Sequence, residues 1–315
     1  MTPKVSVVIP TYNYAGYIPQ AIESVLAQNF GDFELLIIDD HSSDETVEVV
    51  SKFAGKDTRI SFRVNPQNIG MVENWNLCLR EAKGEYIKYL FADDLLYSPD
   101  AIGQMVAALD AEPGASMVAS ARQIIDSDGK PIKVLTHYPD SRSISGAEII
   151  NRCLRFQKNL IGEPTAVMFR KSLAGRGFDP KYRQIVDMEF WFHLLEQGGF
   201  AYINSPLVAF REHGNQQTRV NRSNPLILDD TDYLLSEYVY DKRKSYIELT
   251  WLNKAWLRYD LQYQAFKLCR LGIMEKSAAR ARIASKYGWI RFLLGYPIYK
   301  ICKPFIKLAR SARNL

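Results

Sequence analysis

The chain has 315 residues, 47 % apolar and 24 % charged, close to the average of folded globular domains. That composition excludes an intrinsically disordered chain, a collagen-like repeat and a multi-span membrane protein. The net charge of +5 is uneven: residues 286–315 carry seven basic and no acidic residues, so the rest sums to 5 − 7 = −2 and is no basic nucleic-acid binder.

VSVVI at 5–9 is an apolar β-branched run, expected as a strand buried on both faces. Ile18, Ile22, Val25 and Leu26 then recur at helical spacing. FELLII at 33–38 predicts a second buried strand, ending at Asp39-Asp40. Ser42 with Glu45 reads as a capping box for a helix carrying Val47, Val50 and Phe53. A strand is expected over 59–64 and a helix on Met71, Trp75, Cys78, Leu79 and Ala82, closed by Gly84. YIKYLF at 86–91 is the next strand and runs into Asp93-Asp94. Ser98 as cap and Pro99 at the first helical position open a helix on Ile102, Met105, Val106 and Leu109. Alternating strands and helices of this kind build a mainly parallel sheet.

SMVAS at 116–120 is a fifth strand, SDG at 127–129 a hairpin, Ser145 with Glu148 a helix start and TAVMFR at 165–170 another strand. A helix follows from Asp187 to Gln197, then AYINSPLVAF and Arg211-Glu212-His213. Beyond about residue 225 the pattern is helical. The expected organisation is an α/β body over 1–222, a helical extension over 223–285 and a basic tail over 286–315. That tail interleaves Trp289, Ile290, Phe292, Leu293, Leu294, Ile298, Ile301 and Phe305 with its cations, and Pro297 and Pro304 are expected to break it into short helices. Basic residues beside apolar ones suit an in-plane anchor on an anionic membrane surface, the alternative being a helix packed on the body or on a partner.

No stretch has the ~20 apolar residues needed to cross a bilayer, and MTPKVSVVIP lacks a signal-peptide layout, so cytoplasmic function is expected. Cys78, Cys153, Cys269 and Cys302 form no C-x-x-C pair and suggest neither zinc nor disulfides.

In open α/β sheets ligands bind beyond the carboxyl ends of the strands. Three such ends carry Pro10-Thr11-Tyr12-Asn13, Asp39-Asp40 and Asp93-Asp94. An aromatic ring, a carboxylate able to accept from a base or ribose, and a carboxylate pair are the parts of a nucleotide-plus-metal site, because hard divalent cations take oxygen ligands and bridge to phosphates. Neither G-x-x-x-x-G-K-[ST] nor G-x-G-x-x-G follows the first strand, so phosphate charge falls to a metal. No G-x-S-x-G or H-E-x-x-H occurs, which disfavours hydrolase and zinc chemistry.

The run from Val5 to Thr46, with NPQNIG, AKGEYIKYLFADD, VDMEFW and FREH after it, closely resembles the family 2 glycosyltransferases of the GT-A fold over about residues 4–218. The resemblance implies inverting transfer of a sugar from a nucleotide-activated donor, expected to be a UDP-sugar, to a hydroxyl of a glycan or lipid-linked acceptor. It also implies a divalent cation, Mn²⁺ or Mg²⁺, and work in cell-surface polysaccharide or lipopolysaccharide synthesis at the inner face of the membrane. By position, Pro10, Tyr12 and Asp40 match nucleoside contacts, and Asn68 and Gly70 a loop near the nucleotide. Asp93 matches a contact to ribose or donor sugar, Asp94 the metal ligand and Asp187 the catalytic base. Arg211 and His213 match a segment near the diphosphate, with His213 a second metal candidate. Glu163 resembles part of a loop on the acceptor side. Phe91 and Val186 stand where many members have acidic residues. They are the only hints of a non-catalytic sugar-nucleotide or glycan-binding module; a sugar nucleotidyltransferase is the other rival and lacks its glycine-rich basic loop.

Overall fold

In the computed structural model residues 2–214, 216, 225–241 and 244–312 are described, with side chains as far as Pro304. The expected boundary at 222, the side chain of Phe305 and the last three residues lie outside the described set. The described chain divides into two compact units. The first comprises 1–149, 159–180 and 186–213; the second comprises 150–158, 181–185 and 214–315.

The first unit is a mixed sheet flanked by helices, with β1 (Val5–Thr11), β2 (Phe33–Asp39), β3 (Ile60–Val64), β4 (Tyr86–Tyr89) and β5 (Leu95–Leu96) followed by β6 (Ala115–Ile125), β7 (Pro131–Leu135), β8 (Arg142–Ile144), β9 (Val167–Arg170) and β10 (Gly199–Arg211). The order is β3-β2-β1-β4-β9-β6-β10-β5, with β7 on β6 and β8 on β10. β1 runs parallel to β2 and β4, and β2 parallel to β3, so the ends carrying Thr11, Asp39 and the loop after β4 share one edge. β9 is antiparallel to both β4 and β6, while β10 is parallel to β6 with register shifts around Pro206.

Every residue of β1 is buried, as its continuous apolar pattern predicts, and Val5, Val7, Ile9, Leu35 and Ile37 join Ile18, Ile22 and Val25 in the core. Each such aliphatic side chain contributes ~1.5–3 kcal/mol by leaving water. The helices of this part are α1 (Ile18–Leu26), α2 (Thr46–Ala54), α3 (Met71–Glu81), α4 (Ala101–Ala111), α5 (Gly146–Phe156, whose last seven residues belong to the second unit) and α6 (Val186–Leu195).

Two helix starts differ from expectation. Ser42 does not cap α2; its hydroxyl and amide both donate to Asp39, and the helix begins four residues later at Thr46, where Asp44 accepts from the Thr46 amide. Ser98 likewise accepts from the Asp100 amide, and α4 starts at Ala101 rather than at Pro99. Gly84 ends no helix in a left-handed turn: a Cβ there would meet Ser6 N at 2.4 Å, so glycine is required by the close approach to β1. The hairpin at Gly129 (φ +85°) and the Ser145 cap on the Glu148 amide form as expected.

In the second unit lie α7 (Ile227–Leu234), a π-helical turn Leu235–Val239, α8 (Trp251–Arg270), α9 (Lys276–Lys286) and α10 (Trp289–Ala312). Arg282 of α9 donates to Asp232 and to the Leu228 carbonyl of α7, locking the two. Pro297 and Pro304 do not break the tail, contrary to expectation: α10 runs through both. A proline in a helix interior forfeits one hydrogen bond and costs ~3 kcal/mol. Aromatic packing offsets it, since Phe292 stacks on Tyr259 at 5.3 Å, Tyr299 lies 4.7 Å from Tyr263 and Tyr259 donates to the Phe292 carbonyl.

Candidate active site

Asp40 begins the loop after β2 and is almost fully buried. Its amide donates to the Thr11 carbonyl, tying it to the end of β1. One carboxylate oxygen accepts from Asn65 Nδ2 and the Ile69 amide, the other from the Gly70 amide, each at 2.9 Å. Asn68 closes the turn by donating to the Asp40 carbonyl at 3.0 Å. Asp40 therefore orders the 65–70 loop, and Gly70, at φ +86°, makes the turn that delivers its amide. Pro10 is buried in β1, whereas Tyr12 just beyond it is 45 % exposed, an aromatic face open beside that carboxylate loop.

Asp93 and Asp94 follow β4. Asp94 Oδ2 accepts from the Thr165 hydroxyl at 2.6 Å and Oδ1 from the Arg211 amide at 2.9 Å. Burial, then the adjacent Asp93 charge, push its carboxyl well above the usual carboxylate range. Asp93 Oδ2 lies 3.0 Å from His213 Nε2. Burial and the charges of Asp93 and Asp94 also raise the Tyr14 phenol. The His213 ring packs on Tyr17 at 4.9 Å.

Arg211 is fully buried and points inward: Nε donates to the Asp93 carbonyl at 2.7 Å, Nη1 to Ser127 and Asp126 carbonyls, and Nη2 to Gln20 Oε1 at 2.7 Å. It acts here as a strut that fixes the Asp93-Asp94 backbone to β10 and the hairpin.

Asp187, in the first turn of α6, is half-buried. Burial raises its carboxyl to about 7, against the Met188 amide, which lowers it, and with a smaller upward push from Glu163. Asn159 Nδ2 approaches it at 3.5 Å. Glu189, two residues on, is clamped by Arg176 through bonds of 2.9 and 2.7 Å, which takes it out of contention as a base. Glu163 lies on the loop between α5 and β9, with Arg122 Nε 2.8 Å from its carboxylate, and its charge reaches both Asp94 and Asp187. The site thus joins two clusters: Asp93, Asp94, Arg211 and His213 around the loop after β4, and Asp187 with Asn159 at the start of α6, bridged electrostatically by Glu163.

A divalent cation fits this donor set only in part. Among the described residues no group of three or more His, Cys, Asp or Glu side chains is arranged to hold a metal by itself. Two neighbouring carboxylates, one disfavoured in its charged form by burial, would nonetheless be relieved by a hard divalent cation that takes its remaining oxygen ligands from outside these side chains.

Sequence reasoning missed Thr165 and Lys88. Lys88 is fully buried in β4, donates to the Tyr89 carbonyl at 2.7 Å and to the Thr165 carbonyl, and is lowered to about 7 by burial. The signal was a lysine inside the apolar strand YIKYLF.

The family model for glycosyl transferase family 2 matches residues 6–178, more than half of the chain. The chain belongs to that family. TuaG of Bacillus subtilis, named for teichuronic acid biosynthesis, is 29 % identical over 210 residues, 66 % of this chain and 79 % of that one. Two solved structures share the GT-A fold. TarS residues 1–349 of S. aureus, in complex with UDP-GlcNAc, superposes with a TM-score of 0.59 at 18 % identity, over 82 % of this chain and 71 % of that one. The mannosyltransferase PcManGT from Pyrobaculum calidifontis, in complex with GDP-Man and Mn²⁺, also gives 0.59 at 18 % identity, over 100 % and 87 %. This family 2 chain is thereby a glycosyltransferase by family and GT-A by fold.

Proposed function

We propose that the chain is a metal-dependent inverting glycosyltransferase. It moves a sugar from a nucleoside-diphosphate donor, a UDP-sugar by preference, to a hydroxyl of a glycan or lipid-linked acceptor in surface polysaccharide assembly. The observation that supports this reading is the buried Asp93-Asp94 pair held by His213, Thr165 and the Arg211 amide, with Asp187 beside Asn159, which lies on the same α5–β9 loop as Thr165. The ligands in the TarS and PcManGT structures favour a nucleotide-sugar donor and a cation on the same fold.

In this reading Tyr12 and Asp40, with Pro10 and Asn68, cradle the nucleoside; Asp93 faces ribose or donor sugar; Asp94, aided by His213, holds the cation. A divalent cation there supplies Lewis-acid stabilisation of the departing diphosphate. Asp187 takes the proton of the attacking hydroxyl as its oxygen bonds to the anomeric carbon opposite the leaving group, which inverts that centre. Arg211 holds the Asp93-Asp94 backbone in place for both. Phe91, half-buried, packs on Trp75 at 5.0 Å, so an aromatic contact takes up the position lacking an acidic residue.

The membrane part of the reading rests on α10. Its aromatic side packs on α8, while Ile290, Leu294, Ile298 and Ile301, at helical spacing on the other side, are 65–74 % exposed. Arg291 and Lys300 flank that stripe. No described helix is long and apolar enough to cross a membrane. An exposed aliphatic stripe between cations suits the plane of an anionic lipid surface.

The test is incubation with a panel of UDP- and GDP-sugars and manganese, with NMR reading the anomeric configuration of the released or transferred sugar. Metal-dependent release with inversion supports the reading; binding of nucleotide sugars with no turnover under any metal favours a non-catalytic module.

A further inference from the structure

The loop joining α5 to β9 runs from the base to the metal carboxylate. At one end Asn159 Nδ2 approaches Asp187 and donates to the Gly162 carbonyl at 3.2 Å. In the middle Trp191 Nε1 donates to that same carbonyl at 3.1 Å, and Gly162 sits at φ +139°. At the other end Thr165 is 99 % buried, and its hydroxyl has two partners: it accepts from the Phe91 amide at 3.2 Å and donates to Asp94 Oδ2 at 2.6 Å.

We propose that Thr165 is a positioning residue for cation binding: its hydroxyl fixes the rotation of the Asp94 carboxylate, and Lys88 holds Thr165 itself through its carbonyl. This rests on the reading of Asp94 as a metal ligand.

The physical argument is one of satisfied valences. Thr165 has one hydroxyl proton, and the Phe91 amide occupies the acceptor side, so the proton is directed at Asp94. Asp94 Oδ1 is held by the Arg211 amide. With one donor on each oxygen the carboxylate plane cannot turn, and the lone pairs left over point in a fixed direction. Lys88, placed on β4 three residues before Phe91, ties the Thr165 carbonyl to the same strand that leads into Asp94. The bond network therefore couples strand, loop and ligand in one rigid unit. Supporting partners of this kind are worth 10- to 100-fold in metal affinity elsewhere.

The experiment is calorimetric titration of manganese into the full chain, with UDP or GDP present, whichever the parent binds, for the parent and for Thr165→Val, Thr165→Ser and Thr165→Ala. Valine keeps the shape and alanine leaves space; both remove the hydroxyl. The expected result is a loss of at least tenfold in manganese affinity for Val and Ala, recovery to within about threefold of the parent for Ser, and unchanged metal-free nucleotide affinity in all of them. Circular dichroism identifies a misfolded variant, and the other hydroxyl-free variant then decides. Parent-like manganese affinity in a folded Val or Ala variant overturns the proposal. So does equal loss of metal-free nucleotide affinity, which marks a structural role alone. If the parent shows nucleotide binding that manganese does not strengthen, the metal reading of Asp94 fails first and the inference falls with it.

Discussion

His213 Nε2 stands 3.0 Å from Asp93 Oδ2 although 120 residues separate them, so the end of β10 is closed onto the loop after β4. Under the proposed function His213 either ligates the cation beside Asp94 or orients Asp93, and both roles lead to the same test. His213→Ala is expected to weaken manganese-dependent nucleotide binding by about 10- to 100-fold. Asp94→Asn, which removes an anionic oxygen from a hard-cation site, is expected to weaken it further. Calorimetry at constant nucleotide with varied manganese reads both, and parent-like affinity in Asp94→Asn removes that residue from the metal site.

Asp187→Asn is expected to retain nucleotide binding and lose roughly 100-fold or more in transfer, since a positioned base supplies ~10² to 10⁴ in rate. The parent's transfer rate at saturating donor should rise about tenfold per pH unit below about 7 and level off above, because only the ionised carboxylate accepts the proton. A flat profile between pH 5 and 8, or near-parent rates in the Asn variant, places the base elsewhere, with Glu163 next.

The same carboxyl sets a stability difference with pH. The unfolded chain releases this proton near 3.8 while the folded chain keeps it to about 7, so the group's contribution to folding is present below about 4 and is lost as pH rises to 7. Asp187→Asn should therefore be more stable than the parent at pH 8 by about 1 to 2 kcal/mol, after allowance for solvent screening of a half-buried group. At pH 4 the gap should close. Urea unfolding at the two pH values measures it, and a gap that fails to shrink on acidification contradicts the burial argument.

The edge of the sheet that carries Tyr12, Asp40 and Asp94 was legible because β1, β2 and β4 are buried on both faces and so are written as short, mainly apolar runs, interrupted in β2 by Glu34 and in β4 by Lys88. The starts of α2 and α4 were not legible. A serine three residues before a glutamate reads locally as a cap, but the Ser42 hydroxyl oxygen accepts from the Asn13 amide, 29 residues away, while its proton goes to Asp39, so a tertiary donor takes the place of the helix amide. The run of α10 through Pro297 depends on Tyr259 and Tyr263, which lie over thirty residues earlier. Thr165 escaped for the same reason: its partner Asp94 is 71 residues away, and only the β4–β9 pairing brings them together.

Gly162 tests the rigidity of the loop between Asp187 and Asp94, the base and the metal ligand of the proposed function. Its φ of +139° suits only glycine, and a Cβ would meet the Ala166 Cβ at 3.0 Å and Arg122 Nη1 at 3.3 Å. Gly162→Ala should destabilise the fold by about 1 to 3 kcal/mol and lower transfer more than nucleotide binding, because Asn159 and Trp191 lose their common acceptor, the Gly162 carbonyl. Denaturant midpoints and kinetic constants read the two effects; a variant with parent stability would show that the loop relaxes freely.

The exposed stripe of α10 gives the last prediction, and the packing of its other side decides how to make it. Deleting 286–315 would strip Phe292 and Tyr299 from Tyr259 and Tyr263 and expose an aromatic face on α8. Substitution on the free side avoids that damage. Leu294→Glu with Ile298→Glu removes two aliphatic groups, 71 % and 65 % exposed, and places two negative charges between Arg291 and Lys300. Each cation near an anionic surface is worth ~1 kcal/mol, and insertion of the aliphatic groups adds to it. The parent should sediment with vesicles containing anionic lipid at low salt, less at high salt and less with neutral lipid. The double variant should stay in the supernatant while keeping the parent's thermal midpoint and its transfer to a soluble acceptor. Equal sedimentation of parent and variant on anionic vesicles would refute the anchor. A lowered midpoint in the variant would show instead that the stripe is covered in solution, as the packed-helix alternative requires.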